Sequence, residues 1–205
     1  MQIVLDKIGR RFNCDWIFQH VSYTFNSGQS YAILGPNGSG KSTLLQIIAG
    51  NLTSSSGSVS YLKNAEALDV ELIYSQLSLA APYLELIEEF TLQEIADFHF
   101  HFKRYRTGMD SKAFLELLAL KNAQHKLVKN FSSGMKQRVK LALAFCSDTP
   151  ILLLDEPTAN LDQQGIDWYL SLIERFSMNR LVVVCSNQEY EYQFCTQTLN
   201  VADYK

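Results

Sequence analysis

Residues 30–42 read Ser-Tyr-Ala-Ile-Leu-Gly-Pro-Asn-Gly-Ser-Gly-Lys-Ser, an apolar run that breaks into a glycine-rich turn and closes on a lysine and a serine. Gly35 to Ser42 fits the pattern G-x-x-x-x-G-K-[ST]. Its flanks fit as well: Ser30 to Leu34 reads as a strand, Ser42 to Ala49 as a helix, and Gly50 is placed to end that helix. In such a loop Gly35, Pro36, Asn37, Gly38, Ser39 and Gly40 let backbone N–H groups turn inward around phosphates, and the helix N-terminus adds a favourable dipole. Lys41 then reaches the β and γ phosphates of a nucleotide, and Ser42 can ligate Mg²⁺.

Downstream, the same architecture continues. Ile151 to Leu154 is an apolar strand that ends in two carboxylates, Asp155 and Glu156. Next to a phosphate loop, Asp155 is placed to hold Mg²⁺ through its water shell, and Glu156 to polarise a water attacking the γ phosphate. Leu161 to Phe176 reads as a helix, and Leu181 to Cys185 as the first of a final strand pair. Strands alternating with helices predict a largely parallel sheet whose ligands sit at the strands' carboxyl ends.

Upstream, Val21, Tyr23 and Phe25 alternate with Ser22 and Thr24, and Asn26-Ser27-Gly28 supplies a turn, which reads as antiparallel sheet. Val59 to Leu62 and Val70 to Tyr74 read as further short strands. From Thr91 to about Arg106 the period becomes helical, with Leu92, Ile95, Phe98 or His99, Phe102 and Tyr105 on one broad face, and Asp110 to Leu120 is a second helix. A third, Ser133 to about Ser147, leads into the strand at 151. The expectation is an α/β fold: a P-loop NTPase core with a mainly parallel sheet, an N-terminal antiparallel β subdomain and an inserted helical subdomain. One domain spans 1–205, with 1–75 and 138–205 as core and 76–137 helical.

Composition narrows the partners. Of 205 residues, 47% are hydrophobic and 19% charged, enough for one substantial core. A net charge of -3 gives no global reason to bind nucleic acid, and none is expected. The cysteines Cys14, Cys146, Cys185 and Cys195 form no C-x-x-C pair, which suits a reducing compartment. Met1 is not followed by a basic, then apolar leader, and no window reaches the roughly 18 apolar residues of a spanning helix. His99 and His101, two apart on a helix, point to different faces and are not expected to bind metal.

Between the phosphate loop and the acidic strand end lies Phe131-Ser132-Ser133-Gly134-Met135-Lys136-Gln137-Arg138. Here the chain resembles the ABC ATPase family, whose signature reads roughly L-S-G-G-Q-x-Q-R. Gln76, the signature, Asp155-Glu156 and Ala159-Asn160-Leu161-Asp162 follow the phosphate loop in the family's order. Phe131, Ser133 and Met135 depart from the usual Leu, Gly and Gln, in the manner of exporter-type cassettes. The resemblance implies an ATP-binding and hydrolysing subunit using Mg²⁺, cytoplasmic and peripheral on the inner face of the membrane through a separately encoded transmembrane partner. It also implies a nucleotide-dependent homodimer in which Ser132 and Gly134 of one protomer cover ATP on the other's phosphate loop.

Residue by residue, the resemblance assigns Thr43 to the nucleotide set, and Asp162 to communication between the two sites. Phe12 becomes the candidate for stacking on adenine, with Trp16 as rival. Gln76 becomes the glutamine that contacts Mg²⁺ or the attacking water. Pro82-Tyr83-Leu84-Glu85-Leu86 becomes an edge for docking the membrane subunit. At the end of the strand Leu181 to Cys185 the family presents a histidine near the γ phosphate; Asn187 stands there instead. An amide can donate a hydrogen bond but carries no charge, so slow turnover is expected. Two other readings stay open: a non-transport ATP switch, and a module that closes on ATP with little hydrolysis.

Overall fold

The computed structural model describes residues 1–120 and 123–205. Two sheets organise it. The N-terminal hairpin, β1 (Gln2–Phe12) and β2 (Asp15–Asn26), is joined by β4 (Ser56–Lys63) and β5 (Glu66–Leu68) into an antiparallel sheet of order β2-β1-β4-β5. The second sheet is parallel throughout: β6 (Leu77–Ala80), β7 (Ile151–Asp155), β8 (Leu181–Cys185), β3 (Ser30–Leu34) and β9 (Gln197–Asn200), in the order β6-β7-β8-β3-β9. Every residue of β7 and β8 is buried, which is why both read as unbroken apolar runs rather than alternating ones.

Helix α1 (Lys41–Ile48) lies between the sheets, where Leu44, Leu45, Ile47 and Ile48 pack with Ile3, Leu5, Phe18, Phe25, Ile33 and Val183. On the opposite face of the parallel sheet, α4 (Ser133–Cys146) and α5 (Gln163–Phe176) bury Phe145, Tyr169 and Leu172 against Leu152, Leu154, Val182 and Val184. Each such fully buried aliphatic contributes about 1.5–3 kcal/mol, so this double-faced core dominates the stabilisation. Helices α2 (Leu92–Phe102) and α3 (Ser111–Leu118) pack with α4 in a separate cluster around Leu92, Phe114, Val128 and Val139.

Local chemistry sets the helix starts. Thr91 Oγ1 accepts from Glu94 N (3.2 Å) while Thr91 N donates to Glu94 Oε2 (2.7 Å), a reciprocal cap for α2. Asp110, Ser132 and Asp162 cap α3, α4 and α5 in the same sense. At the far end of α4, buried Arg180 donates to the carbonyls of Ala144 (3.4 Å) and Phe145 (3.2 Å) and to Thr149 Oγ1 (2.6 Å). A guanidinium there satisfies carbonyls that the helix itself leaves open.

Several expectations about individual elements are corrected. Val70 to Tyr74 is not a strand but a 3₁₀ turn, Val70–Ser75, capped by the Asp69 side chain, which accepts from Glu71 N (3.1 Å). Val70, Leu72 and Tyr74 are exposed, and the strand that enters the sheet is the shorter apolar run Leu77–Ala80, paired with β7. The parallel core thus extends to Ala80, and helical structure begins later than residue 76. Helix α2 also ends at Phe102 rather than near Arg106, and Phe98 and Phe102 face outward while Leu92, Ile95 and Ala96 face in.

Candidate functional site

The strand order brings three carboxyl ends side by side. β7, β8 and β3 are neighbours, so Asp155-Glu156, Ser186-Asn187 and the loop after Leu34 emerge at one edge. Sequence positions more than 100 residues apart meet there because the parallel register pairs Asp155 with Cys185 and Ile33 with Cys185.

In the phosphate loop Gly35, Gly38 and Gly40 all have positive φ. Gly40 (φ +104°) has a second constraint: a Cβ there would lie 2.5 Å from Ile17 Cγ2 and 3.0 Å from Phe18 Cδ1. Only glycine fits both the backbone and the contact with β2. Lys41 is almost fully buried, and its Nζ donates to the carbonyls of Gly35 (2.8 Å) and Pro36 (3.3 Å), which holds the cation inside the loop. A cavity of about 240 Å³ is lined by Asn37, Gly38, Gly40, Lys41, Ser42, Thr43, Glu156 and Ile17. Thus Glu156 faces the phosphate loop; Ile17, which no motif singled out, forms part of the wall.

Asp155 is buried, and neither of its carboxylate oxygens has a hydrogen bond among the described residues. Burial raises its carboxyl to about 6, and the neighbouring charge of Glu156 adds to this. The hydroxyls of Ser42 and Tyr83 and the charge of Lys41 act in the opposite direction. The two hydroxyls are close enough to favour the charged form without making a hydrogen bond to it. An unpartnered buried carboxylate beside a serine is what an oxygen-seeking cation such as Mg²⁺ resolves, so Asp155 and Ser42 fit that metal.

Glu156 is exposed and sits at φ +41°, a left-handed conformation unusual for glutamate. Its N–H donates to Cys185 O (2.9 Å), tying the strand ends of β7 and β8 together. Asn187 lies at the end of β8, where its Nδ2 donates to Asn37 Oδ1 (2.7 Å) across the edge of the phosphate loop. These two asparagines and Glu156 line a second cavity of about 330 Å³ with Thr158, Tyr190 and Glu191.

Gln76 is not brought to this edge. It precedes β6, where its carbonyl accepts from Ile151 N (3.1 Å) at the start of β7, and its side chain engages Lys63 Nζ (3.2 Å) and Ser75 Oγ (2.9 Å). Asp155 is four residue steps further along β7, roughly 13 Å at about 3.3 Å per residue. The residue that β6 does deliver is Tyr83, just past its carboxyl end. Tyr83 lies beside Asp155 and Gln46, and burial together with the Asp155 charge pushes its hydroxyl well up. Lys140 of α4 donates to the carbonyls of Ala81 (3.2 Å) and Pro82 (3.0 Å), fastening this loop to the signature helix. The apolar run Leu77 to Ala81 was the signal that could have located it.

The signature residues form a separate place. Ser132, Gly134 and Asp162 line a cavity of about 350 Å³ with Asn160 and Arg138. Ser132 Oγ accepts from Met135 N (3.2 Å) and Asp162 Oδ1 from Gly165 N (2.8 Å), so both are helix caps as well. Phe12 and Trp16 are both exposed near the tip of the β1–β2 hairpin. Arg10 covers the Phe12 ring at 4.5 Å, whereas Trp16 packs over Gly9.

With that geometry in view, known proteins give a consistent match. The family model described as "ABC transporter" matches residues 18–159. A sulfate/thiosulfate import ATP-binding protein, CysA, from Mesostigma viride is 31% identical over 92% of this chain and 56% of its own length. The lantibiotic transport ATP-binding protein SrtF from Streptococcus pyogenes is 32% identical over 83% of this chain and 73% of its own. Among solved structures, the dimeric bacterial ABC transporter cassette MJ0796 has a TM-score of 0.80 and 25% identity, over 97% of this chain and 94% of that one. The chain spans about half the length of the first curated relatives it matches.

Proposed function

Since the chain belongs to the ABC transporter family of ATP-binding cassettes, we propose that it binds and hydrolyses ATP with Mg²⁺ as the energising subunit of a transporter whose membrane-spanning part is a separate chain. Among the described residues no helix is long and apolar enough to cross a membrane, so attachment to the inner membrane face is assigned to that partner. The observation that carries the reading is the shared cavity of the phosphate loop and Glu156, with Asp155, unpartnered among the described residues, next to Glu156 in the chain.

In this reading Lys41 and the loop N–H groups hold the β and γ phosphates, and Phe12 offers its ring to the adenine. Ser42 and Asp155 would hold Mg²⁺, which when bound would neutralise charge on the phosphate oxygens. Glu156 accepts the proton of the attacking water, and Asn187 donates its amide to a γ-phosphate oxygen. The cavity around Ser132, Gly134 and Asp162 is separate from the phosphate loop, so it serves the nucleotide of a second copy in a head-to-tail homodimer. The segment 82–86, fastened to α4 by Lys140, is the docking edge for the membrane partner. The division of one domain into a core, 1–75 and 138–205, and a helical part, 76–137, belongs to the same proposal, with Leu77–Ala80 of the latter joined to the parallel sheet.

A second reading rests on the Asn187–Asn37 contact. A neutral amide already engaged with the loop gives little support to developing charge, which favours a module that closes on ATP and releases it slowly. Mg²⁺-dependent turnover of the purified protein, measured over a range of protein concentrations beside Lys41→Ala and Glu156→Gln, separates the two. Turnover rising more than linearly with protein and lost in both variants supports the ATPase. Tight ATP binding with turnover no higher than in Glu156→Gln supports the closing module.

A further inference from the structure

Glu191 lies on α6 (Glu189–Tyr192), the single turn that follows Asn187, and only 2% of it is exposed. Its Oε1 accepts from Thr158 N (2.7 Å) and from Thr158 Oγ1, and the Tyr190 hydroxyl lies 3.1 Å from that same Oγ1. Tyr169 OH donates to the Glu191 carbonyl (2.8 Å), which anchors the turn on α5. Its other oxygen, Oε2, is buried with no hydrogen bond among the described residues. A buried carboxylate with one oxygen unmatched is a poor source of stability, because desolvation opposes the two bonds it makes. What this group holds therefore matters more than what it adds to folding.

It holds a strained loop. Glu156 (φ +41°) and Asn160 (φ +64°) are both non-glycine residues in the left-handed region, and Thr158 sits midway between them. Such conformations are strained for residues other than glycine, more for glutamate than for asparagine, and persist only where the surroundings enforce them. On one side Gln137 of α4 donates to Pro157 O (2.9 Å); on the other Glu191 grips Thr158. The loop leads from Glu156, which faces the phosphate loop, to Asn160 and Asp162, which line the signature cavity.

We propose that Glu191 is a positioning residue for hydrolysis: through Thr158 it fixes the 156–160 loop and so aims the Glu156 carboxylate, coupling the turn that follows Asn187 to the catalytic strand end. The proposal rests on the ATPase reading above. Glu191 never reaches the phosphates itself; it acts by geometry, where a displacement of about 1 Å costs on the order of 100-fold in rate. Glu191→Ala deletes both bonds of the grip and Thr158→Val only the hydroxyl one, the N–H of residue 158 still facing Oε1, while Glu191→Gln keeps an acceptor oxygen and Thr158→Ser keeps the hydroxyl.

Steady-state ATP turnover, fluorescent-nucleotide affinity and thermal midpoint are measured on all four variants and the parent. Expected are kcat losses of about 10- to 100-fold in Glu191→Ala and a smaller, several-fold loss in Thr158→Val, both at KM within about twofold, with most turnover kept in Glu191→Gln and Thr158→Ser. Thr158→Val nearly preserves shape and carries the test if Glu191→Ala does not fold. Unchanged kcat in Glu191→Ala (or in Thr158→Val where Glu191→Ala does not fold), or a loss in Thr158→Ser equal to that in Thr158→Val, overturns the role of Glu191 while leaving the ATPase reading standing. A parent without turnover overturns both.

Discussion

Asn187 Nδ2 donates to Asn37 Oδ1 at 2.7 Å, so the end of β8 and the tip of the phosphate loop are joined by one neutral hydrogen bond. Neither side chain can carry charge or exchange a proton near neutrality. The contact orients the loop and occupies one of the two amide N–H groups of Asn187, so the charge that develops on the γ phosphate falls mainly to Lys41 and the metal site. Asn187→His places a titratable donor at the same position and is expected to raise kcat about tenfold, which corresponds to about 1.4 kcal/mol of added transition-state stabilisation. Steady-state turnover beside the parent checks this, and a rate no faster than the parent's removes Asn187 as the cause of slow hydrolysis.

Asp155 gives the metal requirement a pH dependence. Its folded-state carboxyl is raised to about 6, chiefly by burial, so below that pH the group holds a proton that a cation must displace. The half-saturating Mg²⁺ concentration for turnover is expected to be flat above about pH 7 and to rise as pH falls through about 6. Asp155→Asn should raise the requirement at every pH and abolish the Asp155 part of the trend. A metal requirement that does not change between pH 5.5 and 7.5 is the result that contradicts it, with those two values set at roughly half a unit below and well above the shifted carboxyl.

His99 is expected to make stability fall in acid. Its imidazole is half-buried on α2 beside Ser147 Oγ (2.9 Å), and desolvation, then the nearby Lys103, lowers it to about 4. The unfolded chain takes up the proton near its ordinary value of 6.5, so between about 6.5 and 4 the unfolded state binds more protons and stability falls as pH falls. The loss is expected to reach about 2 kcal/mol by pH 5, and His99→Gln should flatten it. Urea unfolding at pH 7 and pH 5 measures both; equal slopes in parent and variant would assign the acid sensitivity elsewhere.

Much of this fold was legible because its strongest signals are periodic or covalent. Ser30–Leu34 and Leu181–Cys185 are found where their apolar runs place them, and the Gly35 to Ser42 spacing located the loop. The 3₁₀ turn was not legible, since Val70, Leu72 and Tyr74 alternate as a strand would, and only the Asp69 cap and their exposure reveal otherwise. The outward turn of Phe98 and Phe102 was hidden for a similar reason: helical spacing identifies a stripe but not which of two adjacent stripes is buried. Glu191 and Thr158 were missed because a buried carboxylate gripping a loop 33 residues away in sequence has no local pattern.

The displacement of Gln76 from the site has a direct consequence. A glutamine was expected beside the metal by its order in the chain, yet the parallel pairing of Leu77 with Ile151 and Ala80 with Leu154 puts Gln76 at the amino end of the sheet. Tyr83, past the carboxyl end of β6, is the residue beside Asp155. Its loop is fastened to the signature helix by Lys140, so the tyrosine sits where a change at the metal site can be felt by α4. Gln76→Ala is therefore expected to leave kcat within about twofold of the parent. Tyr83→Phe, which removes only the hydroxyl, should raise the Mg²⁺ requirement several-fold, and Tyr83→Ala should lower kcat by roughly tenfold or more at similar thermal midpoint. The reverse ranking, with Gln76→Ala impaired and both Tyr83 variants normal, would require the 76–83 segment to rearrange when nucleotide binds, because in the present register Gln76 is separated from Asp155 by the length of β7.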